Sequence, residues 1–172
     1  DSSPRERQEQ TEYWINKRIE NQRLGQDTII CGDSVFGEIL ACPSISQIEG
    51  LAVCLLDCSD VERIDRVLEF GGKPTMEMLG WSAWLRVHSV DPEWYPQVIT
   101  KQGYSLMQWD NWQGWQRGDK RWQVTIIDTS GKKIDQIVGA VTRWVSGVQA
   151  STNLVLPVDQ RDEDDLLVED RN

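Results

Sequence analysis

Three carboxylates stand at the carboxyl ends of apolar runs. Asp33 follows residues 28–32 (TIICG), Asp57 follows residues 51–56 (LAVCLL), and Asp128 closes residues 123–128 (QVTIID). Arg63 and Arg66 come just after Asp57. A carboxylate at a strand end, a short turn and an arginine-bearing helix together suit the handling of phosphate. In open α/β sheets ligands bind beyond the carboxyl ends of the strands, which puts Asp33 and the loop 34–46 in a functional position. Asp33 serves equally well as a cap for the next turn, and Glu38 in the same loop could cap or bind.

These residues need elements to hold them. Residues 51–56 are apolar without alternation, the pattern of a strand buried on both faces beneath helices on each side. Ser59 and Glu62 are spaced as a capping box. Val61, Ile64, Val67 and Leu68 then recur at helical spacing until Gly71 and Gly72 stop the helix. Ser3, Pro4 and Glu6 open an earlier helix that runs to about Leu24, with Tyr13, Trp14, Ile15 and Ile19 as its apolar stripe and its Gln, Glu and Arg residues as a solvated face. Residues 76–90 form another, with Met76, Leu79, Ala83 and Val87 on one face and Trp81, Trp84, Leu85 and His88 on a neighbouring one. Ile134, Ile137, Val138, Val141, Trp144 and Val145 mark an amphipathic helix that ends at Ser146 and Gly147. The expected fold is α/β in three layers around a mostly parallel sheet, with one domain over residues 1–148 and a flexible acidic tail over 149–172.

Residues 91–122 have a different texture. They hold five of the nine tryptophans, among several Gly and Pro. Trp109, Trp112 and Trp115 recur every three residues. A satellite hydrophobic cluster that anchors a long loop is the favoured account; an aromatic platform for a base or sugar is the alternative. Arg117, Lys120 and Arg121 follow and could meet phosphate. His88, the one histidine, reads as structural. GGKPT at 71–75 has a helix before it and a proline after it, so it is a helix stop and not a Walker phosphate loop.

The net charge of −10 excludes a general nucleic-acid binder, which needs a basic face. Residues 157–172 carry seven acids against two basic residues, half of that charge. No apolar run reaches the ~20 residues of a membrane helix, and the polar residues 1–10 read as a helix opening rather than a leader. Cys31 and Cys54 fit as small buried thiols. With one histidine and no second cysteine pair, a zinc site is not expected, and reduced thiols imply a cytoplasmic setting.

Four stretches carry a likeness: FGEILACPS (36–44), GLAVCLLDCSDVERIDR (50–66), WDNWQGWQRGDKRW (109–122) and VTIIDTSGKKIDQIV (124–138). Together they resemble the later part of a P-loop kinase of the nucleoside and nucleotide group, and a family of bacterial AAA-family or P-loop ATP-binding proteins. The likeness implies ATP with Mg, a small-molecule acceptor, and phosphoryl transfer by positioning and charge neutralisation. It implies that Asp33 orients the acceptor hydroxyl or holds magnesium through water. Arg63 and Arg66 would be donor-side or lid arginines, and Arg86, Arg117 and Arg121 further lid candidates. Asp128, Thr129 and Gly131 would lie beside the nucleotide base. In such kinases the strand order is 2-3-1-4-5, and a GxxxxGK[ST] loop follows the central strand. That strand and loop are not among these 172 residues. The expected activity of the chain alone is therefore weak or nil. Three arrangements are open: a piece of a longer kinase, strands 28–32 and 51–57 pairing directly, or another chain filling the gap. A non-catalytic protein that acts by homo-oligomerisation or partner binding is the alternative function.

Overall fold

The computed structural model describes residues 3–151 and Leu154. Helix α1 spans Pro4–Arg23. It starts as the sequence predicts: the Ser3 hydroxyl accepts from the Glu6 N–H at 3.3 Å, and the Glu6 carboxylate accepts from the Ser3 N–H at 2.8 Å. Its buried face is less predictable. Ile15 and Ile19 are buried, but so are Arg7, Gln8 and Thr11, while Tyr13 and Trp14 are about half exposed. The solvated-face expectation fails at Arg7 and Gln8, because both find buried polar partners.

A short helix α2, Phe36–Leu40, lies against α1. Strand β1 (Val53–Asp57) leads to α3 (Asp60–Glu69) and α4 (Met76–His88). The tryptophan segment holds α5 (Gln97–Thr100) and a 3-10 turn at Trp109–Asn111. Strand β2 (Val124–Asp128) and helix α6 (Ile134–Ala150) follow. Helix α3 ends in a Schellman motif: Gly71 has φ +73°, its N–H reaches the Leu68 carbonyl, and the Gly72 N–H reaches that of Val67. Helix α6 runs through Gly147 rather than stopping there, so the expected boundary at residue 148 falls inside a helix. The rest of the expected tail, apart from residues 149–151 and 154, lies outside the described residues.

The protein is mixed helix and strand around a small parallel sheet. β1 pairs with β2 in register, Val53 with Val124 through Asp57 with Asp128. Among the described residues these are the only two strands. Residues 28–32, expected as a third, form no ladder. Their Thr-Ile-Ile composition favours a strand, but a strand needs a partner, and β1 does not supply one. The expected two-sided burial of β1 is also incomplete. Val53 and Val124 pack on the core, whereas Leu56 is 50% and Ile126 39% exposed, and neither α3 nor α6 has a buried residue. Two strands offer too little sheet for helices to cover fully.

The core sits beside the sheet. Ile15 and Ile19 of α1, Val35 to Cys42 around α2, Ile45, Ile48, Trp84 and Ile99 meet Trp112, Trp115 and Trp122. The tryptophan segment is thus a wall of the main core, not a satellite cluster. Its polar atoms are matched: the Trp112 Nε1–H donates to the Gly37 carbonyl at 2.8 Å, and the Trp122 Nε1–H to that of His88 at 3.1 Å. Gly37 is required by this packing, since a Cβ there would lie 2.9 Å from the Trp112 ring.

Candidate functional site

The parallel register brings Asp57 and Asp128 out on one rim of the sheet. The Ser59 hydroxyl caps α3 by accepting from the Glu62 N–H, which turns Arg63 and Arg66 back towards that rim. Arg63 donates to Asp57 Oδ1 at 2.8 Å. From α4, Arg86 donates to both oxygens of Asp57, at 2.6 and 3.3 Å, and on to Asp60 at 3.1 Å and the Cys58 carbonyl at 3.2 Å. One carboxylate therefore holds two guanidiniums.

The turn after β2 closes the other side. The Thr129 N–H and hydroxyl both donate to the Asp57 carbonyl, at 2.7 and 2.8 Å. Arg66 donates to the Thr129 hydroxyl and carbonyl at 3.0 and 2.9 Å, and pairs with Glu62. Glu62 does not complete the predicted capping box. Its carboxylate instead accepts from the Gly131 N–H at 2.6 Å. Ser130 bridges the two strand ends: its hydroxyl accepts from the Ser59 N–H and donates to Asp128 at 2.7 Å.

Charge at the rim is nearly balanced, with Asp57, Asp60, Glu62 and Asp128 facing Arg63, Arg66 and Arg86. Burial would push the Asp57 carboxyl up, but hydrogen bonds from Arg86 and the Cys58 backbone, with the charges of Arg86 and Arg63, hold it below its ordinary value. The Gly131 N–H and Arg66 lower Glu62, and the Ser130 hydroxyl and N–H lower Asp128. Arg86 is raised by its bonds to Asp57 and Asp60. These shifts hold Asp57, Glu62, Asp128 and Arg86 in their charged forms. Arg63 Nε alone is a buried donor at the rim without a hydrogen-bond partner among the described residues.

Of the residues singled out from the sequence, Arg63, Arg66, Arg86, Asp128, Thr129 and Gly131 come together here. Asp33 does not join them. It lies exposed in the turn before α2, with no ladder to carry it to the rim and no bond to the rim residues. Glu38, a candidate ligand, is fully buried, and its carboxylate accepts from Arg7 at 2.9 and 2.6 Å, from Gln8 at 2.9 Å and from the Val35 N–H at 3.3 Å. Its acceptors are occupied, so it holds α1 to α2 and meets no ligand. Trp112, a candidate platform, is 2% exposed inside the core and has no free face. Arg121 pairs with Asp119 and lies over the Trp115 ring at 4.2 Å, and Arg117 is an exposed turn residue; neither bonds to the rim. Cys31 is exposed rather than buried, because its run forms no strand.

Asp60, Glu62 and Ser130 complete the rim, and sequence reasoning does not single them out as site residues. The i,i+4 spacing of Glu62 and Arg66 is the available signal for one pair; the bond from Glu62 to Gly131 crosses the ladder and has none. His88 is structural, as expected. It stacks on Trp84 at 4.6 Å and meets Trp112 and Trp122 edge-on. Its Nδ1 lies 3.3 Å from the Trp94 carbonyl, its Nε2 has no partner among the described residues, and burial lowers its pKa to about 4. No group of three or more His, Cys, Asp or Glu among the described residues could hold a metal ion, and none of their helices is long and apolar enough to cross a membrane. The chain matches no family model, no curated protein and no solved structure.

Proposed function

We propose that this chain is a kinase-like α/β module, related to ATP-dependent phosphotransferases of nucleosides or nucleotides, which on its own acts by association and not by phosphoryl transfer. The observation that carries this reading is the pairing of the rim arginines. Arg63, Arg66 and Arg86 each have a carboxylate partner within the chain. A nucleotide phosphate would have to displace Asp57 or Glu62 to reach them, and both are held ionised. The 172 residues contain no GxxxxGK[ST] loop to make up the difference. The kinase-like ancestry is supported by the adjacency of β1 and β2, which the strand order 2-3-1-4-5 requires of its last two strands.

The direct test is calorimetric titration with ATP in the presence and absence of magnesium. The expected result is no saturable heat at micromolar ATP, and ATP phosphorylates no nucleoside in the protein's presence.

A second reading, a phosphotransferase completed by a phosphate loop from outside these residues, has one observation in its favour. Asp57 and Asp128 leave the sheet side by side, with Arg63 Nε beside them as a buried donor that has no partner among the described residues. Micromolar, magnesium-dependent ATP binding would select this reading over the first.

A further inference from the structure

Among the described residues, the two-stranded ladder leaves the outer edge of β1 without a strand. Such an edge presents a row of unpaired N–H and C=O groups, a template for another strand. The same chain carries an unpaired segment of matching chemistry. Residues 28–32 include Thr28, Ile29 and Ile30, and make no backbone hydrogen bond with another described residue. Ile29 is 67% and Ile30 40% exposed.

This segment is pinned at both ends. Asn21 donates to the Thr28 hydroxyl at 3.0 Å, Gln149 to Asp27 at 3.1 Å, and the Ser34 and Thr11 hydroxyls meet at 2.8 Å. Asn21 and Thr11 are ten residues apart on α1, about 15 Å along the axis. The chain from Thr28 to Ser34 covers that distance in six steps, so it is drawn out well beyond helical rise. Neither residues 28–32 nor residues 51–56 contain a charge, and Asp27, Asp33 and Asp57 stand at their ends.

We propose that a second copy of this chain adds its residues 28–32 to the free edge of β1, and receives the same strand in return, giving a two-fold dimer with two added ladders. The inference rests on the association reading above and names its partner. Each copy then fills the backbone groups that the other leaves open, and Ile29, Ile30 and Leu56 pass from water into the joint.

Sedimentation of the full chain from about 1 µM to about 100 µM tests this directly. The expected result is a concentration-dependent dimer whose dissociation constant rises about tenfold or more in Ile29→Lys and Ile30→Lys. Phe70→Lys, at a residue 90% exposed elsewhere, leaves it unchanged. In the wild-type protein, alkylation of the exposed Cys31 slows as concentration rises, a readout that does not depend on any variant folding. A monomer throughout the range, a dimer insensitive to both isoleucine variants, or Cys31 reactivity independent of concentration overturns the proposal. These outcomes are separate from ATP binding: micromolar ATP affinity would overturn the association reading itself, whatever the oligomeric state.

Discussion

Arg86, on α4, lies along the Asp57 carboxylate at the end of β1, with contacts of 2.6 and 3.3 Å. The pair joins two elements 29 residues apart in sequence. Asp57 also carries Arg63, so removing its charge leaves Arg63 without its counterion and Arg86 with Asp60 alone. Asp57→Asn should lower stability at neutral pH by about 2 kcal/mol, less than for a fully buried pair because the Arg86 side chain is 36% exposed. Urea unfolding of the variant and the parent measures this. A change within error would mean that Arg63 and Arg86 are equally well satisfied by solvent.

The Arg7–Glu38 pair is the stronger interaction, with side chains 9% and 0% exposed. Glu38→Gln should cost about 3–5 kcal/mol, because Arg7 is left buried with a neutral partner. The double variant Arg7→Met, Glu38→Leu should recover much of that loss, although Gln8 and the Val35 N–H also lose an acceptor. Denaturant midpoints of the three proteins decide it.

His88 sets a pH dependence above the carboxylate range. Its folded pKa is about 4 against an ordinary 6.5, so the unfolded chain binds a proton that the folded one does not. Stability should fall as pH drops below about 6.5 and continue to fall until about 4, by about 3 kcal/mol in all. Asp57 acts lower down: its folded pKa is depressed, so its contribution is present above the ordinary carboxylate value and lost as pH falls through the depressed one. His88→Phe should remove the upper part of the slope and keep the lower. Unfolding free energies measured between pH 7 and about pH 2 separate the two groups.

Gly37→Ala places a methyl group 2.9 Å from the Trp112 ring. With Trp122, Trp109 and His88 packed around that ring, the strain should cost about 1–3 kcal/mol. The lowered melting temperature should come with a shifted tryptophan emission, since the indole must move. An unchanged spectrum would show that α2 shifts instead.

Sequence signals are legible here where the chemistry is local. Ser3 with Pro4 and Glu6 marks the start of α1, and Ser59 the start of α3. Both observed strands and their terminal aspartates follow from apolar runs ending at Asp57 and Asp128. Arg63, Arg66 and Asp128 stand out by type and position, because a strand end and the helix that follows it converge in a parallel ladder, whereas Arg86, Thr129 and Gly131 are implied only by the resemblance to kinases.

What the sequence hides depends on distant partners. Arg7 and Gln8 look like solvent-facing residues until Glu38 is seen 31 and 30 positions away. Residues 28–32 have strand composition, but pairing is a property of two segments and composition describes one. The role of the tryptophan segment is hidden for the same reason: its partners are Gly37, Leu40 and His88, reached through bonds spanning 75, 71 and 34 positions. Gly147 reads as a stop, yet one helix-interior glycine costs only about 1 kcal/mol and α6 continues through it.

The core lies between α1, α2 and the tryptophan segment, with the ladder at its flank. That arrangement inverts the usual ranking of protection in an α/β protein. Amide deuteration should reach β2 and α6 early, while α1 and the N–H groups around Ala41 and Trp112 exchange last. The rim can then open and reclose in sub-global excursions that never disturb the indole layer.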